Sequence, residues 1–75
     1  MKEAKSIRGL PDIIGVVNGR PVYLECKRSK SEAQHNTGRI VLQRKVLRDA
    51  ELAGAYASFI YPENEQEILD HLHTL

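Results

Sequence analysis

Two near-continuous apolar runs open the chain, 12–17 (DIIGVV) and 21–27 (PVYLECK), with Asn18-Gly19 between them. Asn-Gly between apolar runs suits a type I′ turn, because both central residues of that turn need φ > 0. The pattern predicts an antiparallel hairpin in which Val17 faces Arg20, Gly15 faces Val22, Ile13 faces Leu24 and Asp12 faces Glu25. Alternation puts Ile13, Val22, Leu24 and Cys26 on one face and Ile14, Val16 and Tyr23 on the other. A sheet apolar on both faces expects cover on both, as in layered α/β folds. Pro21 falls at a non-hydrogen-bonded position, so its missing N–H costs the ladder nothing.

The pattern then changes period. Residues 28–38 (RSKSEAQHNTG) are polar and rich in turn formers, which predicts a flexible loop. Leu42, Val46, Leu47, Ala50 and Ala53 recur at helical spacing and predict a helix over 39–53, with Gly54 as the residue just past its end. Residues 55–61 (AYASFIY) predict a third strand, closed by Pro62. Asn64 with Glu67 suggests a capping box, and Ile68, Leu69, Leu72 and Leu75 form one face of a terminal helix over 64–74. Residues 1–9 show no clear periodicity and read as a lead-in, or as the remnant of a longer N-terminal element. The expected order is ββαβα, a single small α/β domain over 1–75 with a central sheet flanked by helices.

Size and composition narrow the classes. A chain of 75 residues buries only about 60% of its unfolded surface, so a dimer or a bound metal would help it. No apolar run approaches the roughly 18 residues of a membrane span, and no signal-peptide pattern opens the chain. Cys26 is the sole cysteine, which excludes an intramolecular disulfide framework and points to a reducing, cytoplasmic setting. No nucleotide-binding glycine loop, zinc-type Cys/His spacing or Ser/His/Asp set can be built, so no small-molecule cofactor is expected. His71 and His73 read as surface residues.

The net charge of +1 conceals a division. Residues 1–48 hold all eleven Lys and Arg against four acids, giving +7, while residues 49–75 hold six acids and no Lys or Arg, giving −6. Such a split predicts one face for a polyanion and one that avoids it.

The hairpin carries the candidate chemistry. Counted from the turn, Asp12/Glu25 is a non-hydrogen-bonded pair, the closer kind, with Cα atoms about 4.5 Å apart. Like charges directly opposite destabilise a sheet, so the pair is expected to hold something positive. Lys27 is two residues past Glu25 and shares its face. A surface ion pair would use the lysine and one acid, and would not require the second carboxylate. Gln43 is in line with Leu47 and Ala50, on or beside the buried face of the predicted helix, where a polar group needs a partner.

Pro11-Asp12, then Glu25-Cys26-Lys27, resembles the PD…(D/E)xK signature of the restriction-endonuclease-like nucleases. The wider stretch Gly9-Leu10-Pro11-Asp12-Ile13-Ile14-Gly15, with Tyr23-Leu24-Glu25-Cys26-Lys27 and Gln43, is similar to the VRR-NUC branch. These are small nuclease domains found alone in phages and prophages, or fused to helicases and repair proteins. The resemblance spans about residues 8–61.

It implies a restriction-endonuclease-like core and a metal-dependent DNA endonuclease in a bacterial or phage-infected cell. Mg²⁺ or Mn²⁺ would be held by Asp12, Glu25 and the main-chain carbonyl of Cys26, whose thiol reads as core packing on the opposite face. Both ions prefer hard oxygen ligands and keep several waters. Lys27 would orient or deprotonate the attacking water, and Gln43 would border the site. Stand-alone members act on branched DNA such as Holliday junctions. The family usually begins with a helix that supplies a further glutamate, and Glu3 is the acid available here.

Arg28, Lys30, His35, Arg39, Arg44, Lys45 and Arg48 follow the acidic pair and are the candidate phosphate contacts. A homodimer is expected, with part of the set Ile13, Ile14, Val16, Val22 and Tyr23 left exposed in the monomer. Two other functions stay open: a catalytically incomplete DNA-binding or assembly module on the same fold, and an interaction domain whose acidic half docks a basic partner.

Overall fold

A computed structural model describes residues 11–75. Strands β1 (Ile13–Val17) and β2 (Arg20–Cys26) form the hairpin. Asn18 and Gly19 have φ of 49° and 82°, the two positive values that a type I′ turn requires. The register is the expected one: Val17 opposes Arg20, Gly15 opposes Val22 and Ile13 opposes Leu24. The ladder stops there, one pair short of Asp12/Glu25. The next hydrogen-bonded position belongs to Pro11 and Cys26. The Cys26 N–H donates to Asp12 Oδ2 at 3.0 Å instead, so the aspartate side chain closes the end of the hairpin.

Strand β3 (Tyr56–Ile60) pairs parallel with β2, Val22 opposite Tyr56 through Cys26 opposite Ile60. The sheet is three-stranded and mixed, in the order β1-β2-β3, with β2 in the centre. The crossover from β2 to β3 carries two helices, α1 (Lys30–Ala33) and α2 (Gly38–Leu52), and α3 (Glu65–Leu72) follows β3. The order is therefore ββααβα, and the protein is a small α/β fold.

Helix α1 corrects the reading of 28–38 as a loop. Ser29 Oγ accepts the Glu32 N–H at 3.1 Å, and Glu32 Oε1 accepts the Arg28 N–H at 2.7 Å. The Ser-x-x-Glu spacing is a capping box, with its return bond displaced by one residue. Helix α2 buries Ile40, Gln43 and Leu47, at spacings of three and four, and exposes Leu42. The face expected from the apolar residues alone is centred one position off. Gln43 takes the central place because it has a partner on the sheet. Gly54, with φ of 107°, ends α2 as expected.

Asn64 precedes α3 without capping it. Its Oδ1 accepts the Tyr61 N–H at 2.9 Å and its Nδ2 donates to the Phe59 carbonyl at 3.1 Å, so the side chain fastens the end of β3.

The two faces are covered by different helices. Ile68 of α3 packs on Val22 and Leu24, joined by Val17, Tyr56, Ile60, Leu72 and Leu75. On the opposite face α2 packs across β2 and β3. Strand β1 lies at the edge beyond α2. Ile13, Ile14 and Val16 are exposed there, whereas Val22 is buried and Tyr23 half-buried. Among the described residues no helix is long and apolar enough to cross a membrane. Glu3 and the lead-in 1–9 lie outside the described residues.

Candidate active site

Glu25 is the centre of the site. It occupies the face of β2 that meets α2, and it is 3% exposed. Alternation along β2 dictates this position, since Val22 and Leu24 turn to the core under α3. Gln43, 4% exposed, donates from Nε2 to Glu25 Oε2 at 3.0 Å. The partner expected for a glutamine on that helix face is thus the glutamate. Lys27, two residues along, places Nζ 3.9 Å from the same oxygen, with its side chain 9% exposed. The ammonium also stands 5.9 Å from the centre of the Phe59 ring, within range of a cation–π contact. Phe59 is opposite Glu25 on β3, so the parallel register supplies a floor for the lysine.

Asp12 approaches Glu25 from the residue just ahead of β1. Its Oδ2 is fixed by the Cys26 N–H, and its carboxyl lies near enough to Glu25 to act on it. Burial pushes the Glu25 carboxyl up to about 7, and the hydrogen-bonding and charged Asp12 pushes it the same way. The charges of Lys27 and Arg39 pull it down, with less effect. Two side-chain oxygens in the cluster, Glu25 Oε1 and Gln43 Oε1, are buried without a hydrogen-bond partner. Unpaired buried oxygens are costly, and here both are hard donors beside a second carboxylate. That is the donor type which Mg²⁺ or Mn²⁺ accepts.

Among the described residues no set of three or more Asp, Glu, His and Cys side chains is grouped to hold a metal. The hard oxygens in the cluster are those of two carboxylates, with the Gln43 side-chain oxygen beside them. Cys26 departs from its expected packing role, because its thiol is exposed. Cys26 ends β2, past the Val22, Leu24 and Ile68 cluster. Partial burial, then the charges of Asp12 and Glu25, raise the thiol above its ordinary value, which disfavours a nucleophilic thiolate.

A hollow of about 440 Å³ adjoins the cluster, lined by Cys26, Lys27, Arg28, Glu32, Thr37, Arg39 and Ile40. The candidate basic residues divide around it. Arg28 and Arg39 border the hollow. Around α2, Arg39 lies about 40° from Gln43, whereas Arg44, Lys45 and Arg48 lie about 100–160° away. These three line a separate hollow with Val41, Asp49 and Leu52.

Their engagements differ too. Arg44 donates to the carbonyls of Ala33 (3.1 Å) and His35 (2.9 Å) and to Asn36 Oδ1 (3.4 Å), tying the α1–α2 connection to α2. Lys45 pairs with Asp49 at 2.9 Å and Arg28 with Glu32 at 3.4 Å. The backbone N–H of Lys30 donates to the Glu63 carboxylate at 3.3 Å, while His35, Arg39 and Arg48 are exposed.

Phe59 and Thr37 were not legible as site residues, since parallel pairing and the entry to α2 bring them there. No protein-family model, curated protein or solved structure matches the chain.

Proposed function

We propose that the chain is a divalent-metal-dependent DNA endonuclease with a restriction-endonuclease-like core of the VRR-NUC type. One observation carries the reading: the buried Glu25, close enough to the Asp12 carboxyl to be raised by it, shares its surroundings with Lys27 and Gln43. A structural ion pair has no use for the second carboxylate. An ion would compensate both acids and give the unpaired Glu25 oxygen a partner.

A bound Mg²⁺ or Mn²⁺ supplies a lowered water pKa and charge neutralisation at the phosphate. Asp12, Glu25 and the Cys26 main-chain carbonyl are the residues to hold it. Lys27, as an ammonium, would orient the attacking water and offset charge on the phosphate, and the water's proton would pass to solvent. Gln43 keeps Glu25 in place. Water adds to phosphorus, the bond to the leaving sugar oxygen breaks, and that oxygen gains a proton. Arg28 and Arg39, beside the hollow, suit the flanking phosphates. The remaining basic residues, Lys30, Arg44, Lys45 and Arg48, extend the positive half along the chain.

The pairing of carboxylates without a third acid among the described residues favours a second reading. On it, the chain is a DNA-binding or assembly module with a site too incomplete to cut. One experiment separates the two: incubation with duplex, flap and four-way-junction DNA, with Mg²⁺, with Mn²⁺ and with chelator. Metal-dependent nicking is expected, with branched DNA preferred. Salt-sensitive binding without nicking in any metal selects the second reading.

A further inference from the structure

Between β3 and α3, on the side of the sheet away from Glu25, is a hollow of about 280 Å³. Tyr56 and Ser58 line it from β3, opposite Val22 and Leu24 and on their face. Glu67, Ile68 and His71 line it from α3, with Asn64 just ahead of the helix. Spacings of three and four put these residues on one side of α3. Ile68 packs into the core, whereas Glu67 and His71 are exposed.

The lining accepts hydrogen bonds more readily than it donates them. The Ser58 hydroxyl donates to the Phe59 carbonyl at 2.7 Å, which leaves its oxygen as an acceptor. The Asn64 amide is engaged with the end of β3. Tyr56 and His71 form a stacked pair, with ring centres 4.9 Å apart and planes 28° apart. Burial first, then the charges of Glu67 and Glu51, push the Tyr56 hydroxyl above its ordinary value. Two carboxylates from different helices thus act on this hollow. The ion pairs among the described residues engage Glu25, Glu32 and Asp49, and neither of these two. Residues 49–75 contain no Lys or Arg, so β3 and α3 bring no such cation themselves.

We propose that this hollow receives an arginine side chain of a partner protein, its guanidinium stacked against the Tyr56/His71 pair and hydrogen-bonded to Glu67. A guanidinium is a flat cation that donates from every nitrogen and accepts nowhere. It is weakly hydrated and stacks on aromatic faces. Each property has a counterpart here. The charge meets Glu67 and Glu51, the donors meet the oxygens of Glu67 and Ser58, and the plane meets the stacked rings. The compact, strongly hydrated ammonium of lysine matches the charge alone. Size agrees as well. At about 280 Å³ the hollow falls below the roughly 300–1,000 Å³ of pockets for drug-sized ligands, and it suits a single side chain.

The proposal does not rest on the nuclease reading. Glu25 and Gln43 meet on the α2 side of the sheet, and this hollow is on the α3 side. A nucleic acid and a partner protein can therefore be held together. The acids that repel a phosphate backbone from α3 attract an arginine to it.

NMR shift mapping on the whole chain, at neutral pH and low salt, tests the proposal. The probes are acetyl-Ala-Arg-Ala-amide, its lysine counterpart and free arginine. The arginine peptide is expected to give saturable shifts at the Tyr56, Ser58, Glu67 and His71 amides. The lysine peptide should bind more weakly, as should free arginine, whose own carboxylate the acidic surface repels. Glu67→Gln should lower the affinity for the arginine peptide about five-fold, the upper end for an exposed ion pair. His71→Ala should remove the preference for arginine over lysine. Both side chains are exposed, so the variants keep the fold. Glu65→Gln, outside the hollow, should change affinity less than Glu67→Gln. Equal binding of the two peptides, shifts spread along α3, or equal effects of the two glutamate variants would reduce the site to general attraction by an acidic surface and overturn the proposal. Tighter binding of free arginine than of the peptide would make this a small-molecule site. The same shifts on concentrating the protein without peptide would assign the hollow to a second copy. Either result overturns the partner protein.

Discussion

Gln43 donates to Glu25 across 3.0 Å, a helix amide on a buried strand carboxylate. The bond couples the position of α2 to the charge on Glu25. A neutral glutamic acid uses it weakly, whereas a carboxylate uses it fully. Gln43→Leu should therefore destabilise the protein by about 1–3 kcal/mol at pH 8, where Glu25 is charged. The loss should be smaller at pH 5. Urea unfolding at the two pH values measures this, and equal losses would show that Gln43 acts by packing alone.

Glu25 makes its own pH signature. Its folded value of about 7 lies above the ordinary 4.5, so between those values the folded state binds more protons than the unfolded one. Stability of the metal-free protein should fall as pH rises from about 4.5 to 7, then level off. The scale is a few kcal/mol at most, since one unit corresponds to about 1.4 kcal/mol. Glu25→Gln should flatten the profile and raise stability at pH 8. Added Mn²⁺ should restore stability to the parent at pH 8 and do little for the variant. A parent profile that is flat over this range would refute the raised Glu25 carboxyl.

Asp12→Asn divides catalysis from folding. An amide oxygen can still accept the Cys26 N–H, and removing one charge relieves repulsion with Glu25. The variant should unfold at or slightly above the parent's midpoint, yet lose metal-dependent nicking to background. An Asp12→Asn protein that cuts like the parent eliminates Asp12 from the site.

Arg44 offers a contrast between two roles. Its guanidinium bonds two backbone carbonyls and the Asn36 side chain, a geometry which the ammonium of lysine cannot reproduce. Both Arg44→Ala and Arg44→Lys should lower stability, the alanine variant by about 1–2 kcal/mol. Thermal unfolding is the measurement. If Arg44→Lys were as stable as the parent while both variants bound DNA differently, the clamp would be incidental.

Much of the frame was legible because it follows from local rules. The Asn18-Gly19 turn fixed the hairpin register, and alternation then put Glu25 and Lys27 on one face. The strand Tyr56–Ile60 and the helices Gly38–Leu52 and Glu65–Leu72 follow from period and stop signals. Errors arose where a polar side chain held a place that a pattern count gives to an apolar one. Gln43 displaced Leu42 from the buried face of α2, because a hydrogen bond to Glu25 compensates its burial. Ser29 and Glu32 were a readable capping box inside a segment dominated by turn formers. Asn64 was a plausible cap whose side chain found the end of β3 instead. The cation–π floor under Lys27 depends on the parallel pairing of β2 with β3, which no local pattern encodes.

The division of basic residues around α2 yields the last prediction. Arg39 stands on the Gln43 side, borders the hollow beside Lys27 and is near enough to Glu25 to lower its pKa. Arg48 lies on the far side with Val41 and Leu52. A nucleic acid that reaches the carboxylates must pass Arg39, whereas it meets Arg48 only by wrapping the helix. Arg39→Ala should weaken DNA binding and flatten the plot of log affinity against log salt by about 0.9 for each phosphate that is no longer neutralised. Arg48→Ala should change the slope less. Glu63, Glu65 and Glu67, in the acidic half, should be replaceable by Gln without loss of binding. Binding isotherms for each variant at four or five salt concentrations supply the slopes. A steeper dependence on Arg48 than on Arg39 would move the DNA path to the outer face of α2, away from Asp12 and Glu25. The carboxylate cluster would then have to be explained without a phosphodiester substrate.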